Sequence, residues 1–336
     1  SNCLGQKSKR GRQVKKIAPG IGLVIATGVA IYVGTAPIDN FWSALFAPGS
    51  NEILWQIRIP RVTAALLVGA CLALAGLMAQ GACNNALAEP SILGTTAGAA
   101  LGTVVAVLTG LVQVGSVGAI ACGALGALGA TALTFKLANL RSQLSSFALI
   151  IVGIAVSATL TAVVGLLSAM VTRADARSIS FWNFGSLALI TQENLIGIAI
   201  TAVIGGVIAW RISPSLDRLS LGDATAFHLG IDVGRVRFIA LVALSVLAGG
   251  AVSTVGSIAF IGLAAPHIAR FVYGPIHRNL IVHTAIIGAL LVVVADTLSR
   301  SIAQPSELPI GLVTSLIGAP VLIALVAVKN NVWKTQ

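Results

Sequence analysis

Residues 55–76 read WQIRIPRVTAALLVGACLALAG. Arg58 and Arg61 flank Pro60, and no charged residue follows until Glu89. A helix needs about 20 mostly apolar residues to cross a bilayer, so this stretch reads as a spanning helix with two cations at its mouth. Pro60, with its fixed backbone angle, should hold the two side chains in a set relation at the helix start.

The rest of the chain repeats that pattern. Hydrophobic residues make up 57% of the 336 positions and charged residues 9%. A soluble domain carries about 25% charged residues, so this composition belongs in a membrane. Apolar runs occur near 17–36, 61–80, 91–111, 115–135, 144–171, 192–210, 237–256, 258–273, 280–300 and 309–328, which predicts about ten spans. The polar, basic start (residues 1–16) leads into the first run without a small-residue cleavage site, so that run is expected to be retained as a span.

Lys and Arg set the orientation. If the N-terminus is cytoplasmic and the spans alternate, sixteen of the 21 cations lie inside. They are Lys7, Lys9, Arg10, Arg12, Lys15, Lys16, Lys136, Arg141, Arg211, Arg218, Arg235, Arg237, Arg270, Arg278, Lys329 and Lys334. Five lie outside: Arg58, Arg61, Arg173, Arg177 and Arg300. The net charge of +11 then faces an anionic leaflet and does not call for a nucleic-acid partner.

Glycines Gly94, Gly98 and Gly102, and Gly123, Gly126 and Gly129, fall at helix-packing spacing. In lipid, close backbone approach draws helices together where apolar burial cannot, so these are read as packing positions. Cys3, Cys71, Cys83 and Cys122 form no C-x-x-C pair and suggest neither a disulfide framework nor a zinc site. His228, His267, His277 and His283 do not sit at metal-ligand spacing, and His267 is read as structural. No lysine follows a glycine, so there is no phosphate-binding loop of the G-x-x-x-x-G-K type and the chain is not expected to hydrolyse ATP. Asp296 is the main intramembrane carboxylate, a functional candidate by default. Arg300 one turn on makes a structural ion pair the favoured reading over a proton relay.

Five segments then read together: RIPRVTAALLVGACLALAGLMAQGACNNALAEPSILGTTAGAALG (58–102), FWNFGSL (181–187), LSLGDATAFHLGIDVGRVR (219–237), GSIAFIGLAAPHIARFVYGPIHRNL (256–280) and ADTLSRSIAQPSELPIGLVTSLIGAPVLIAL (295–325). From about residue 50 onward the chain resembles the permease subunits of ATP-binding-cassette importers for ferric siderophores, haem and cobalamin. The family reads N-P-L-A-x-P after the second span, and here Ala86 stands at the first proline, which puts the rigidity of that turn in question.

The resemblance implies an all-α fold of about ten transmembrane helices, the type II importer permease fold. It implies a polytopic domain over 17–328 between cytoplasmic tails 1–16 and 329–336, in a bacterial cytoplasmic (inner) membrane. Its implied partners are a second permease subunit, identical or paralogous, two cytoplasmic ATP-binding subunits and an external substrate-binding protein. No covalent cofactor is implied, and ATP is hydrolysed by the partner. The outer arginines Arg58, Arg61 and Arg300 are implied to dock the binding protein. Guanidinium pairs with carboxylate in a fixed geometry and speeds encounter; the competing reading is that Arg58 and Arg61 snorkel to lipid phosphates.

The loop at about 211–237 is implied to couple to the ATPase through Leu219, Ser220, Leu221, Gly222, Asp223, Ala224, Leu229 and Gly230. From the residues alone, Ser213 and Pro214 should break the chain. Ser220 should cap a short helix ended by Gly230, with Leu221, Ala224 and Leu229 as its apolar face. That helix would lie on lipid or enter a partner's groove. Pro266 should bend the short eighth span, and Arg270, His277 and Arg278 should sit among headgroups or against the ATPase. The resemblance places the pathway between two permease subunits, with Ser157, Thr159, Thr161, Ser168, Trp182, Gly185 and Ser186 as candidate lining residues. A path so poor in charge suits a shielded iron chelate, haem or cobalamin better than a bare metal ion. An ion-coupled secondary carrier and a passive scaffold are the readings of a different class.

Overall fold

The computed structural model describes residues 2–34, 38, 40–113, 116–140, 145–170, 182–188, 190–304 and 306–320, with side chains from residue 17 onward. Arg141, Arg173, Arg177, Lys329 and Lys334 of the charge count, the side chains of the basic N-terminal tail, residues 329–336, and the last part of the tenth apolar run lie outside the described residues.

Among the described residues the regular structure is helical. The helices are α1 (Asn2–Tyr32), α2 (Phe41–Phe46), α3 (Ile59–Ala82, entered through a π-helical turn at Ile53–Arg58), α4 (Thr95–Leu108), α5 (Val117–Ala138), α6 (Ser146–Met170), α7 (Gln192–Leu219), α8 (Asp223–His228), α9 (Val233–Val255), α10 (Ile261–Tyr273), α11 (His277–Ile302) and α12 (Ile310–Pro320). Each of the ten apolar runs is occupied by a helix. Among the described residues six stretches are long and apolar enough to cross a membrane: the π turn with α3, then α5, α6, α7, α9 and α11. With 14 and 13 residues, α4 and α10 reach only about 20 Å at 1.5 Å per residue, short of the ~30 Å hydrocarbon layer.

The centre of the bundle is α3. Of its most apolar window 78% is buried, against 22% for α6. It packs against α11, α9, α7 and α10. Paired glycines allow a close crossing with α11: a Cβ added to Gly69 would stand 2.4 Å from the carbonyl oxygen of Gly288, and one on Gly288 would stand 2.3 Å from that of Gly69. Small side chains therefore set how near these helices can come. Gly98, Gly102, Gly123 and Gly126 are packed as tightly, but a Cβ on Gly129 would meet open space, so that residue does not serve the packing expected of it.

The break expected at Ser213 and Pro214 does not occur, and the helix of the short eighth span runs through Pro266. Pro214 lies inside α7 and Pro266 inside α10. A proline in a helix leaves the carbonyl four residues back without its N–H partner. The hydroxyl of Ser213 donates to the Trp210 carbonyl at 2.8 Å, and the amide of Gln80 donates to the Gly262 carbonyl at 3.4 Å. Each orphaned acceptor thus has a side-chain donor, and α7 runs on to Leu219. The NNALAEP turn closes without the family's proline: Asn85 Oδ1 accepts the Leu87 N–H at 2.9 Å, and the Asn85 carbonyl accepts the Ala88 N–H at 3.1 Å.

Candidate functional site

Antiparallel packing of α3 and α11 brings the start of one to the end of the other. Arg58, Arg61 and Arg300 meet there, as the sequence reading required, but they face inward. They are 4%, 6% and 4% exposed. Arg61 donates from Nε to both Asp296 oxygens, at 3.0 and 3.2 Å, from Nη2 to Oδ1 at 2.9 Å, and from Nη1 to Glu307 at 2.8 Å. Arg300 lies 3.5 Å from the second Asp296 oxygen. The expected turn-spaced pair of Asp296 and Arg300 is present, and Arg61, 235 residues away, completes it.

The same arginines cap α1. Arg58 donates to the carbonyls of Ile31 at 3.1 Å and Tyr32 at 2.7 Å, and Arg300 donates to that of Ala30. The last carbonyls of a helix have no partner within it and attract cations. Three guanidiniums against two carboxylates leave the cluster formally +1. Glu307, with a third of its side chain exposed, is the rim through which an outside carboxylate could reach Arg61.

At the opposite end of the bundle stands the segment 219–230. Ser220 does not cap the short helix. It closes α7, its hydroxyl donating to the Asp217 carbonyl at 2.7 Å. The turn to α8 is made by Gly222, at φ 100°, and α8 has no side-chain cap. Its end is as expected: Gly230, at φ 78°, is left-handed after Leu229. Leu221, Ala224, Phe227 and Leu229 are exposed and Ala226 is buried. The residues expected as the helix's apolar face are exposed, but Leu221 and Leu229 flank α8 and do not lie on it, and Phe227 is exposed beside Ala224.

Beneath this segment lie residues that the sequence reading assigned only to the charge count or to the surface. Arg237 is 0% exposed. Its Nε donates to the Ala82 carbonyl at 3.0 Å, and its Nη2 donates to Ser146 Oγ at 3.0 Å and Asp223 Oδ1 at 2.9 Å. His277 and Arg270, expected at the membrane surface, are turned inward instead. The backbone N–H of His277 donates to Asp217 Oδ1 at 2.6 Å and its ring Nδ1 lies 3.0 Å from the same oxygen, while Arg270 donates to Gln80. Both find their acceptors on neighbouring helices, which lowers the cost of burying them. Arg278 remains exposed.

The candidate pathway residues divide. Ser157, Thr161 and Ser168 share one face of α6 at helical spacing, and Thr159 lies about 200° round from Ser157. Ser157 donates to the Ser91 carbonyl at 2.7 Å, whereas Thr159 and Thr161 are exposed. Trp182, Gly185 and Ser186 belong to a segment pinned between two helices. The Ser186 N–H donates to the Val255 carbonyl at 2.8 Å, and Ile310 and Gly311 donate to Gly185 and Phe184 at 3.0 Å each.

Comparison with known proteins gives a consistent picture. The model of the FecCD transport family matches residues 21–328. An iron(3+)-hydroxamate import system permease protein, FhuB of Bacillus subtilis, is 37% identical over 89% of this chain and 79% of its own. The vitamin B12 import system permease protein BtuC of Vibrio cholerae is 35% identical over 98% and 97%, and the hemin transport system permease protein HmuU of Yersinia pestis 33% over 91% and 94%. Among solved structures, an inward-facing metal-chelate type ABC transporter superposes with a TM-score of 0.81 at 30% identity, covering 93% of this chain and 98% of that one.

Proposed function

The chain belongs to the FecCD transport family, and we propose that it is the permease subunit of an ATP-binding-cassette importer that brings a ferric siderophore into the cytoplasm. A separate ATPase subunit powers the step, and an external binding protein delivers the cargo. The protein resides in the cytoplasmic membrane with both termini inside. Haem or cobalamin is the alternative cargo, since relatives that carry each name stand at similar identity. The ferric-hydroxamate relative, at 37% identity, favours iron chelate.

The observation that carries this reading is the segment 219–230. Leu221, Phe227 and Leu229 are exposed at 61%, 71% and 52% on and beside the short helix α8. An apolar segment left uncovered at the end of a helical bundle suits insertion into a partner's groove, and an ATPase is the partner an importer needs there. At the other end the net positive cluster suits an acidic delivery protein. A carboxylate of that protein takes Glu307's place on Arg61, so charge steers the encounter and sets its register.

The test is uptake of radio-iron as a ferric trihydroxamate chelate into proteoliposomes that hold the permease, its ATPase and its binding protein. ATP-dependent uptake, undiminished by excess haem or cobalamin, is the expected result. Uptake driven by an ion gradient without ATP would establish a secondary carrier instead, and competition by haem or cobalamin would move the cargo to that compound.

A further inference from the structure

Arg237 stands where four helices meet. It belongs to α9, and among its acceptors are the last residue of α3, the first residue of α6 and the first residue of α8. We propose that Arg237 is a positioning residue that ties the α8 segment to α3 and α6, so that displacement of α8 by a partner moves the bundle and not the segment alone. The proposal rests on the importer reading, which supplies the partner that moves α8.

The geometry argues for a tie and against a filler. A guanidinium is planar and rigid, and its donors point in fixed directions. Nε and Nη2 lie on one edge of that fork and hold Ala82, Ser146 and Asp223 together. If α8 moves alone, Asp223 leaves a charge that has no access to water, which is strongly unfavourable. If α8 carries Arg237 with it, the ends of α3 and α6 must follow or lose their bonds. The alternative anchor of α8 is slight: of its six residues Ala226 is buried.

The two helices tied to α8 differ in what they can do with the motion. The interior helix α3 spans about 36 Å at 1.5 Å per residue, and its far end carries Arg61 in the ion pair with Asp296. A shift at Ala82 therefore reaches the cluster at the other face through one continuous element. By contrast α6 is mostly uncovered and bears Ser157, Thr161 and Ser168 along one face. A shift at Ser146 moves that face with little repacking.

The experiment compares Arg237→Met, Arg237→Lys and Asp223→Asn with the wild type, each reconstituted with ATPase and binding protein. The probe is the binding protein loaded with a ferric trihydroxamate chelate, and the readouts are ATP-driven uptake per assembled complex and the binding-protein concentration that gives half the maximal rate. Arg237→Met is expected to lower the maximal rate about tenfold, within the range that coupling residues show, and to leave the half-saturating concentration within about twofold. Arg237→Lys recovers part of the rate by keeping the charge, and Asp223→Asn falls between it and the wild type.

Wild-type maximal rates in assembled Arg237→Met complexes would overturn the proposal, because a residue that only stabilises the fold lowers the number of complexes and not the rate of each. Should Arg237→Met fail to accumulate, Asp223→Asn decides: its carboxylate is half exposed, and an unchanged rate in that variant overturns the tie. If the wild type itself imports without ATP, the importer reading fails first and the tie falls with it.

Discussion

The two ends of α3 solve one problem in different ways. At each end buried guanidiniums cap the carbonyls that close a helix: Arg58 and Arg300 cap α1, and Arg237 caps α3. At the first end Arg61 and Arg300 are held by Asp296, a carboxylate that is itself buried, on a helix packed along the whole length of α3. At the second end the carboxylate is Asp223, half exposed and carried on a six-residue helix that barely touches the bundle. A buried partner on a rigid element makes a staple. A half-exposed partner on a loosely held element makes a joint. The same side-chain chemistry therefore serves rigidity at one face and movement at the other, and burial of the carboxylate decides which.

The comparison is broken most directly at Asp296. Asp296→Asn removes the carboxylate that Arg300 faces and leaves Arg61 with Glu307 alone, and loss of one partner of a buried pair costs about 3–5 kcal/mol. Thermal unfolding of the detergent-solubilised protein should show that loss, and an unchanged midpoint would mean the cluster is no staple. Next comes the glycine crossing at which the antiparallel helices α3 and α11 meet. Gly69→Val forces a side chain against the Gly288 backbone, and overpacking of this kind costs about 1–3 kcal/mol; the same melt reads it, with Gly129→Val as the control that changes little because its site is open.

Glu307→Gln sharpens the contrast at a smaller scale. Its side chain is a third exposed, so the loss in stability should be about 1 kcal/mol or less. The cluster's formal charge rises from +1 to +2, and association with an acidic binding protein should become faster and more salt-dependent, which stopped-flow binding at two ionic strengths would measure. The smallest effect is expected at Ala86→Pro. The turn already closes through Asn85, and proline there should stabilise the protein by about 0.4–1 kcal/mol by restricting the unfolded chain, with no change in uptake.

Some of this was legible along the chain. The Asp296–Arg300 pair could be read because its partners are four residues apart on one helix. Gly230 could be read as a helix stop because left-handed backbone favours glycine locally. The inward turn of Arg58 and Arg61 could not, since their partners lie on α1, α11 and the segment after it. Ser213 and Pro214 misled for a related reason: proline predicts a break only if no donor takes the freed carbonyl, and Ser213 supplies one. Arg237 carried no local signal that set it apart from Arg235, two residues earlier. Arg235 lies on the outer side of the same turn.

By itself the sequence determined the solvent and the elements: hydropathy acts over one helix length, so the membrane setting and the apolar helices are properties of contiguous residues. Which arginine is a staple and which a joint was decided by the tertiary structure. That distinction depends on the burial of a carboxylate 235 residues away in one case and 14 residues away in the other, and burial exists only once the helices have packed.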